Sequence, residues 1–275
     1  AVQITSTDVF VSWLPLYHDM GLIGAWLGSL YYASPLVLMS PLAFLARPAR
    51  WLWAIHKHRG TLSAGPNFAY DLCTRRIDER DLEGLDLSSW RVAFNGAEPI
   101  SAVTLARFNE RFVPYGFRPE AMAPVYGLAE AALGVAFPTL GRAPHIDRIQ
   151  REPFMRSGHA LPAATHDATA CHFVACGQPL PGYQLRIVDA TGYEVGERQE
   201  GRLEFQGPST TSGYFHNPEA TSHLFHNAWL DSGDLAYMVG STVYLTGRAK
   251  DLIIRAGRNI YPHELEEAIG DIADV

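Results

Sequence analysis

Cysteine is scarce, charge is thin, and no long apolar run goes uninterrupted. Three cysteines, Cys73, Cys171 and Cys176, in 275 residues are too few for a disulfide framework. A reducing, cytoplasmic setting is the simplest expectation. Lys and Arg number 22 against 29 Asp and Glu, a formal net charge of −7. A nucleic-acid binder needs a basic footprint that this balance does not supply. Residues 20–39 carry no charge, but Gly21, Gly24, Gly28 and Pro35 break the run, and Ser29 and Ser34 lie inside it. It reads as a buried helix followed by a strand, not a membrane span. The N-terminus has no basic region and no signal-peptide pattern. The chain opens on Ala1 in strand-like sequence, so a longer parent is expected.

What is present argues for folded protein. Hydrophobic residues make up 47% and charged residues 19%, with no long charge run, which excludes disorder as the main state. The length supports a large core and about two domains.

The first half alternates strand and helix patterns. Strands are expected at 9–14, 36–39, 62–64 and 91–94. Helices are expected at 21–32, from Pro48 to His58, at 68–77, and from a Ser101 cap to Phe112. This order predicts an α/β fold with a parallel sheet and helices on its faces. From Pro138 to Gly177 no clean period appears, and a long structureless segment is expected there. Beyond it lie strand patterns at 183–188, 202–206, 235–239, 243–245 and 252–254, which predict an antiparallel, barrel-like subdomain. Pro262 opens a helix expected over 264–269.

Several short motifs carry possible chemistry, each with a plain structural alternative. Tyr126-Gly127-Leu128-Ala129-Glu130 is expected to lead into a helix whose N-terminus faces an anion, with Tyr126 stacking on a base and Glu130 holding Mg²⁺. The alternative is a helix start with an exposed acid. Asp231-Ser232-Gly233-Asp234 precedes a strand, and Asp234 offers two acceptors to a vicinal diol, or forms an ordinary Asx turn. Gly247-Arg248-Ala249-Lys250-Asp251 offers Arg248 as a planar fork for phosphate, or a solvated charged turn. Pro15-Leu16-Tyr17-His18-Asp19-Met20-Gly21 ends the first strand, where open α/β sheets place ligands. Neighbours in sequence such as His18 and Asp19 rarely form a catalytic dyad, and no Gly-x-Ser-x-Gly elbow is present, so a hydrolase is disfavoured. His166, Cys171, His172 and Cys176 do not match the common zinc spacing.

Taken in order, these motifs resemble the adenylate-forming superfamily of acyl-CoA synthetases, peptide-synthetase adenylation domains and luciferases. The matching stretches are residues 14–21, Phe94-Asn95-Gly96-Ala97-Glu98-Pro99, the Tyr126 motif, Gly213-Tyr214-Phe215, Ser232-Gly233-Asp234 and the Gly247 motif. The resemblance is closest to fatty acyl-AMP ligases. It rests on Tyr-Gly-Leu-Ala-Glu in place of Tyr-Gly-x-Thr-Glu, on Asn-Gly-Ala-Glu-Pro, and on the irregular 143–176 segment, which lies where that branch carries an insertion.

The resemblance implies a partial large adenylation domain over 1–247, with the insertion at about 143–176 and a β-rich subdomain at 177–247. The hinge and the start of a small C-terminal domain would occupy 248–275. It implies ATP and AMP as nucleotides and Mg²⁺ as the metal. Tyr126 would stack on adenine, with Gly96, Ala97 and Gly127 lining the nucleotide. Glu130 would ligate Mg²⁺, Asp234 would bind the ribose hydroxyls, and Arg248 would contact ribose or phosphate. His18 would lie near the carboxylate and α-phosphate, and Lys250 would be the hinge. Tyr126, Glu130, Asp234 and Arg248 would all face one adenylate.

Ala129 stands where the wider family has a Thr that meets the phosphate. The segment 22–32 is a candidate wall for an acyl chain, or plain core helix. The implied reaction makes acyl-AMP and pyrophosphate from ATP and a fatty acid, then loads an acyl carrier protein. The insertion would restrain the C-terminal domain and disfavour coenzyme A. The family's phosphate loop and C-terminal catalytic Lys are not found, so this chain alone is expected not to adenylate. A long-chain acyl-CoA synthetase and a non-catalytic nucleotide-binding or interaction module remain the alternatives. Four arginines against two acids over 142–156 offer a docking surface for an acidic carrier, or a solvated loop.

Overall fold

The computed structural model describes residues 2–255, 258–262, 265 and 269. It divides into two compact units, Ala1–His145 and Ile146–Val275. Among the described residues no helix is long and apolar enough to cross a membrane. The helix expected over 264–269 lies largely outside the described residues.

The first unit is built on five parallel strands: β1 (Phe10–Ser12), β2 (Leu36–Leu38), β3 (Leu62–Gly65), β4 (Val92–Asn95) and β5 (Met122–Pro124), in the order β2-β1-β3-β4-β5. Helices make the crossovers, as the alternating pattern predicts. The first begins with wide turns over Met20–Leu27, where the Gly28 amide donates to the carbonyl five residues back, Ile23, and continues as α1 (Gly28–Tyr31). Next come α2 (Pro41–Ala46), a short helix the sequence pattern did not reveal, α3 (Ala49–His58), α4 (Asn67–Arg76) and α5 (Ala102–Phe112).

Burial explains why these segments are helical. On α5, Leu105, Phe108 and Phe112 recur at three and four residues and are buried. The Ser101 side chain accepts from the Thr104 amide at 3.2 Å and starts the helix. The core is aromatic, and three of its polar tips bond to strand residues. Trp51 Nε1 donates to Ser63 Oγ at 2.8 Å, Tyr70 OH to the Phe94 carbonyl at 2.7 Å, and Trp90 Nε1 to the Val92 carbonyl at 2.9 Å.

The start of the sheet is closed by an ion pair. Arg91, just before β4, donates from Nε and Nη2 to Asp8, just before β1, at 2.7 and 2.8 Å. Thr61 Oγ1 adds a third bond to Asp8 at 2.7 Å. The Arg91 guanidinium holds the Asp8 carboxyl well below the usual carboxylate range.

After β5 the chain forms an antiparallel hairpin of β6 (Tyr126–Leu128) and β7 (Leu133–Phe137), joined by a single 3₁₀ turn at Ala129–Ala131. The helix expected after Tyr126 is therefore absent. Ala132 takes a left-handed φ of 52°, which stops the turn, and Leu133–Phe137 pairs back on Tyr126–Leu128.

The second unit is antiparallel. Its region 146–176, expected to be structureless, contains β8 (Ile146–Ile149), α6 (Arg151–Ser157) and β9 (Cys171–Val174), with β8 and β9 paired. The proline and polar content hid it, because its order comes from tertiary packing. Ile149, Phe154, Cys171 and Phe173 share a buried cluster with Tyr237, Tyr244 and Tyr261.

A two-residue strand β10 (Gln178–Pro179) follows. The main sheet uses β11 (Gln184–Val188), β12 (Gly201–Gln206), β13 (Phe225–His226), β14 (Trp229–Val239) and β15 (Thr242–Arg248), with α7 (Pro218–Leu224) between β12 and β13. β11, β12 and β14 pair in that order, and β13 and β15 share the other side of β14. A final hairpin pairs β16 (Ile253–Arg255) with β17 (Arg258–Ile260). The expected strand at 235–239 is the second half of the eleven-residue β14, so Asp231-Ser232-Gly233-Asp234 is a bulged part of a strand rather than a turn before one.

Candidate functional site

In a parallel sheet every strand's carboxyl end opens on the same edge, and ligands of open α/β sheets bind there. The first unit sends three motif segments to that edge. The loop after β1 carries His18, 50% exposed at the side chain, with Nδ1 2.8 Å from Asp19 Oδ1. These sequence neighbours meet as a local contact within the loop, with the Met20 amide between them. The Met20 amide donates to Asp19 Oδ1 at 2.7 Å, which fixes the loop at the start of the helix. Gly21 has no alternative here, since a Cβ would sit 2.3 Å from the Pro15 carbonyl oxygen.

Gly96 and Ala97 follow β4, and Tyr126 follows β5. The Asn95↔Pro124 register and the bond from the Val125 amide to the Asn95 carbonyl, 2.8 Å, make these loops neighbours. A Cβ on Gly96 would meet the Val125 carbonyl oxygen at 2.9 Å. Ala97 holds φ +70°, a left-handed conformation that costs an L-residue energy and marks a constrained loop. Glu98 explains part of that constraint: its Oε1 accepts from the Phe68 amide in the first turn of α4 and ties the loop after β4 to the loop after β3. Sequence reasoning gave Glu98 no role, although its place in the Asn-Gly-Ala-Glu-Pro stretch was noted.

Tyr126 is buried, and Gly127 lets the hairpin close, because a Cβ would lie 1.8 Å from the Leu133 carbonyl oxygen. Glu130 is half-buried on the single turn Ala129–Ala131. With a single turn and then a strand in place of the expected helix, this segment offers an anion side chains and amides but no helix N-terminus of its own. The wide helix buries Met20, Gly21 and Ala25, while Trp26, Leu27, Leu30 and Tyr31 are exposed. It is not a plain core helix.

In the second unit, Asp234 and Arg248 are cross-strand partners on β14 and β15, with Arg248 Nε 3.5 Å from Asp234 Oδ1. Lys250 is exposed in the turn closed by the Asp251 amide on the Arg248 carbonyl at 3.1 Å. Gly213 takes φ +139° ahead of α7, and the Tyr214 amide donates to Thr221 Oγ1 at 2.9 Å.

The cysteines are buried, and burial pushes the Cys176 thiol up to about 12, which leaves little thiolate for a metal or an electrophile. On β9, Cys171 is buried while His172 is exposed. Among the described residues no three His, Cys, Asp or Glu side chains come together as a metal group. Glu200 was missed by the sequence reading. Burial raises its carboxyl pKa, and it accepts from Thr246 Oγ1 on β15 and from Tyr261 OH at 2.8 Å.

Comparison with known proteins decides what these motifs belong to. Residues 1–215 match the family described as AMP-binding enzyme. The chain belongs to the AMP-binding enzymes. This AMP-binding chain is 40% identical over 266 residues to a putative acyl-CoA synthetase of Caulobacter vibrioides, covering 96% of the chain and 46% of that protein. It is 38% identical to the medium-chain-fatty-acid–[acyl-carrier-protein] ligase TtuA of Teredinibacter turnerae, covering 96% of the chain and 43% of the ligase. A structure from work on fatty acyl-adenylate ligases of E. coli and L. pneumophila superimposes with a TM-score of 0.95 at 40% identity, over 100% of this chain and 49% of the other. The chain spans about half the length of the curated relatives it matches. The parallel sheet with helices and the antiparallel sheet are those of adenylate-forming enzyme domains.

Proposed function

We propose that the chain is the adenylate-holding part of a fatty acyl-AMP ligase. The observation that carries this reading is the 0.95 superposition at 40% identity with a fatty acyl-adenylate ligase over the whole chain. The first half-reaction joins a fatty carboxylate oxygen to the α-phosphorus of ATP, and the bond to the bridging oxygen breaks as pyrophosphate leaves. No side-chain nucleophile is needed. Positioning and charge stabilisation carry the step.

Each unit brings its own part of that chemistry. In the first, Tyr126 stacks on adenine, and Gly96, Ala97 and Gly127 admit the nucleotide close to backbone. His18 donates to the carboxylate or α-phosphate. Glu130 would hold Mg²⁺ through one hard carboxylate, and the ion when bound would neutralise charge on the phosphates. The exposed apolar side chains of 22–32 line the acyl chain. In the second unit, Asp234 accepts from the ribose hydroxyls, and Arg248 contacts ribose or phosphate.

The second half-reaction passes the acyl group to the phosphopantetheine thiol of an acyl carrier protein. The thiol attacks the acyl carbon and AMP leaves. The division we propose is a large domain over 1–247, with the insertion at 143–176, and a smaller one from 248, hinged at Lys250. Two contacts support a restraining insertion: Tyr261 stacks on Phe154 of α6 at 5.3 Å, and Arg258 pairs with Glu152 at 3.2 Å.

The Caulobacter relative, described as a putative acyl-CoA synthetase, favours a second reading in which coenzyme A is the acceptor. Binding of AMP to this chain by calorimetry tests the first reading, and absence of binding at millimolar AMP overturns it. Pyrophosphate exchange by this chain beside a longer form tests whether adenylation needs more polypeptide. Acceptor choice by the longer form, offered coenzyme A or a holo carrier protein, separates ligase from synthetase.

A further inference from the structure

The segment that presents Asp234 is irregular in a specific way. Between the cross-strand pairs Arg202↔Leu235 and Glu204↔Asp231, β12 has one residue, Leu203, while β14 has three, residues 232–234. Such a bulge turns side chains off the regular alternation, and it holds its shape only if the interrupted ladder is repaired. One hydroxyl repairs it from the middle. Ser232 Oγ donates to the carbonyl of the fully buried Leu203 at 2.7 Å and accepts from the Asp234 amide at 3.1 Å. Beside it, Asp231 Oδ1 accepts from the Gly233 amide at 2.9 Å, Gly233 takes φ +75°, and Arg202 Nη1 holds Asp231 Oδ2 at 3.4 Å. The Ser232 hydroxyl is thus the link in this bulge that joins the Asp234 backbone to the neighbouring strand.

We infer that Ser232 is a positioning residue for nucleotide recognition, its hydroxyl setting Asp234 where the carboxylate accepts from both hydroxyls of a ribose. This rests on the reading of Asp234 as the diol acceptor. Alanine removes both bonds and uncouples the Asp234 backbone from β12, leaving its pairing with Arg248 on β15, while threonine keeps the hydroxyl. Ser232 itself touches no ligand in this scheme. Its loss therefore acts only on the part of the ligand that Asp234 holds.

The test is calorimetric titration of this chain with AMP and with 2′,3′-dideoxy-AMP. The expected result is that Ser232→Ala weakens AMP about tenfold, as for one or two lost hydrogen bonds, leaves the dideoxy nucleotide unchanged, and is reversed by Ser232→Thr. Should the alanine variant fail to fold, Ser232→Cys, similar in shape but a poorer hydrogen bonder, gives the same two titrations. Equal weakening of both nucleotides, or no change in AMP, overturns the inference. Asp234→Ala separates the two levels. If it abolishes the preference for the diol while Ser232→Ala does not, only the positioning role fails. If it leaves the preference intact, or the chain binds no AMP, the reading of Asp234 fails and the inference goes with it.

Discussion

The two units fix their motif residues by different means. In the first, backbone geometry does most of the work. Parallel register sets the loops after β1, β4 and β5 on one edge, and close approaches at Gly21, Gly96 and Gly127 leave no room for a side chain. In the second, side chains repair deliberate irregularities. Ser232 bridges the bulge in β14, Thr246 is the surplus residue opposite the Leu235/Ala236 step, and half-buried Glu200 receives the Thr246 hydroxyl. A backbone-built site fails all at once when space is lost, whereas a side-chain-built one loses function in steps.

The largest expected effect breaks the first mode. Gly127→Ala forces a Cβ against the Leu133 carbonyl and destabilises the chain by about 3 kcal/mol or more, read by urea denaturation. An unchanged midpoint would show that the hairpin yields easily. Next comes the ion pair at the opposite end of the sheet. Asp8→Asn costs about 2 kcal/mol at pH 7, because the Arg91 guanidinium loses its buried partner. The Asp8 pKa is depressed in the folded state, so the stabilisation is present above pH ~4 and is lost as pH falls through the folded value. Wild type and variant therefore converge in acid.

If Tyr126 stacks on adenine as proposed, Tyr126→Ala weakens AMP binding by about 1–2 kcal/mol, seen in titrations, with Tyr126→Phe close to wild type. The smallest effect belongs to the second unit. Burial raises the Glu200 pKa, so ionising it in the folded state opposes stability. As pH rises from about 4 through the raised value, wild type loses ground relative to Glu200→Gln in thermal unfolding. A gap that stays constant with pH would show that the carboxyl does not titrate in this range.

The strand–helix alternation of the first unit was legible because each element carries its own period, as the Leu105, Phe108 and Phe112 spacing does on α5. The motifs were legible because glycines and acids stand at fixed intervals in them. Two kinds of feature were not. Region 146–176 has no period of its own, and its order comes from packing Ile149, Phe154 and Phe173 on distant tyrosines. The hairpin after Tyr126 was misread as a helix start, because Ala129-Glu130-Ala131-Ala132 favours helix locally while the pairing with Leu133–Phe137 overrides it. Glu98, Glu200 and Ser232 were passed over as actors for the same reason, since their partners lie 30, 46 and 61, and 29 residues away.

The wide turns of Met20–Leu27 have an evolutionary corollary. A helix whose amides reach five residues back holds one residue more than a regular helix of the same span. Deleting a single residue there would regularise the hydrogen bonding while keeping the segments on either side at their present bearings. The irregularity thus acts as an absorbed insertion, one that later change can trim without re-aiming His18 in the loop before it.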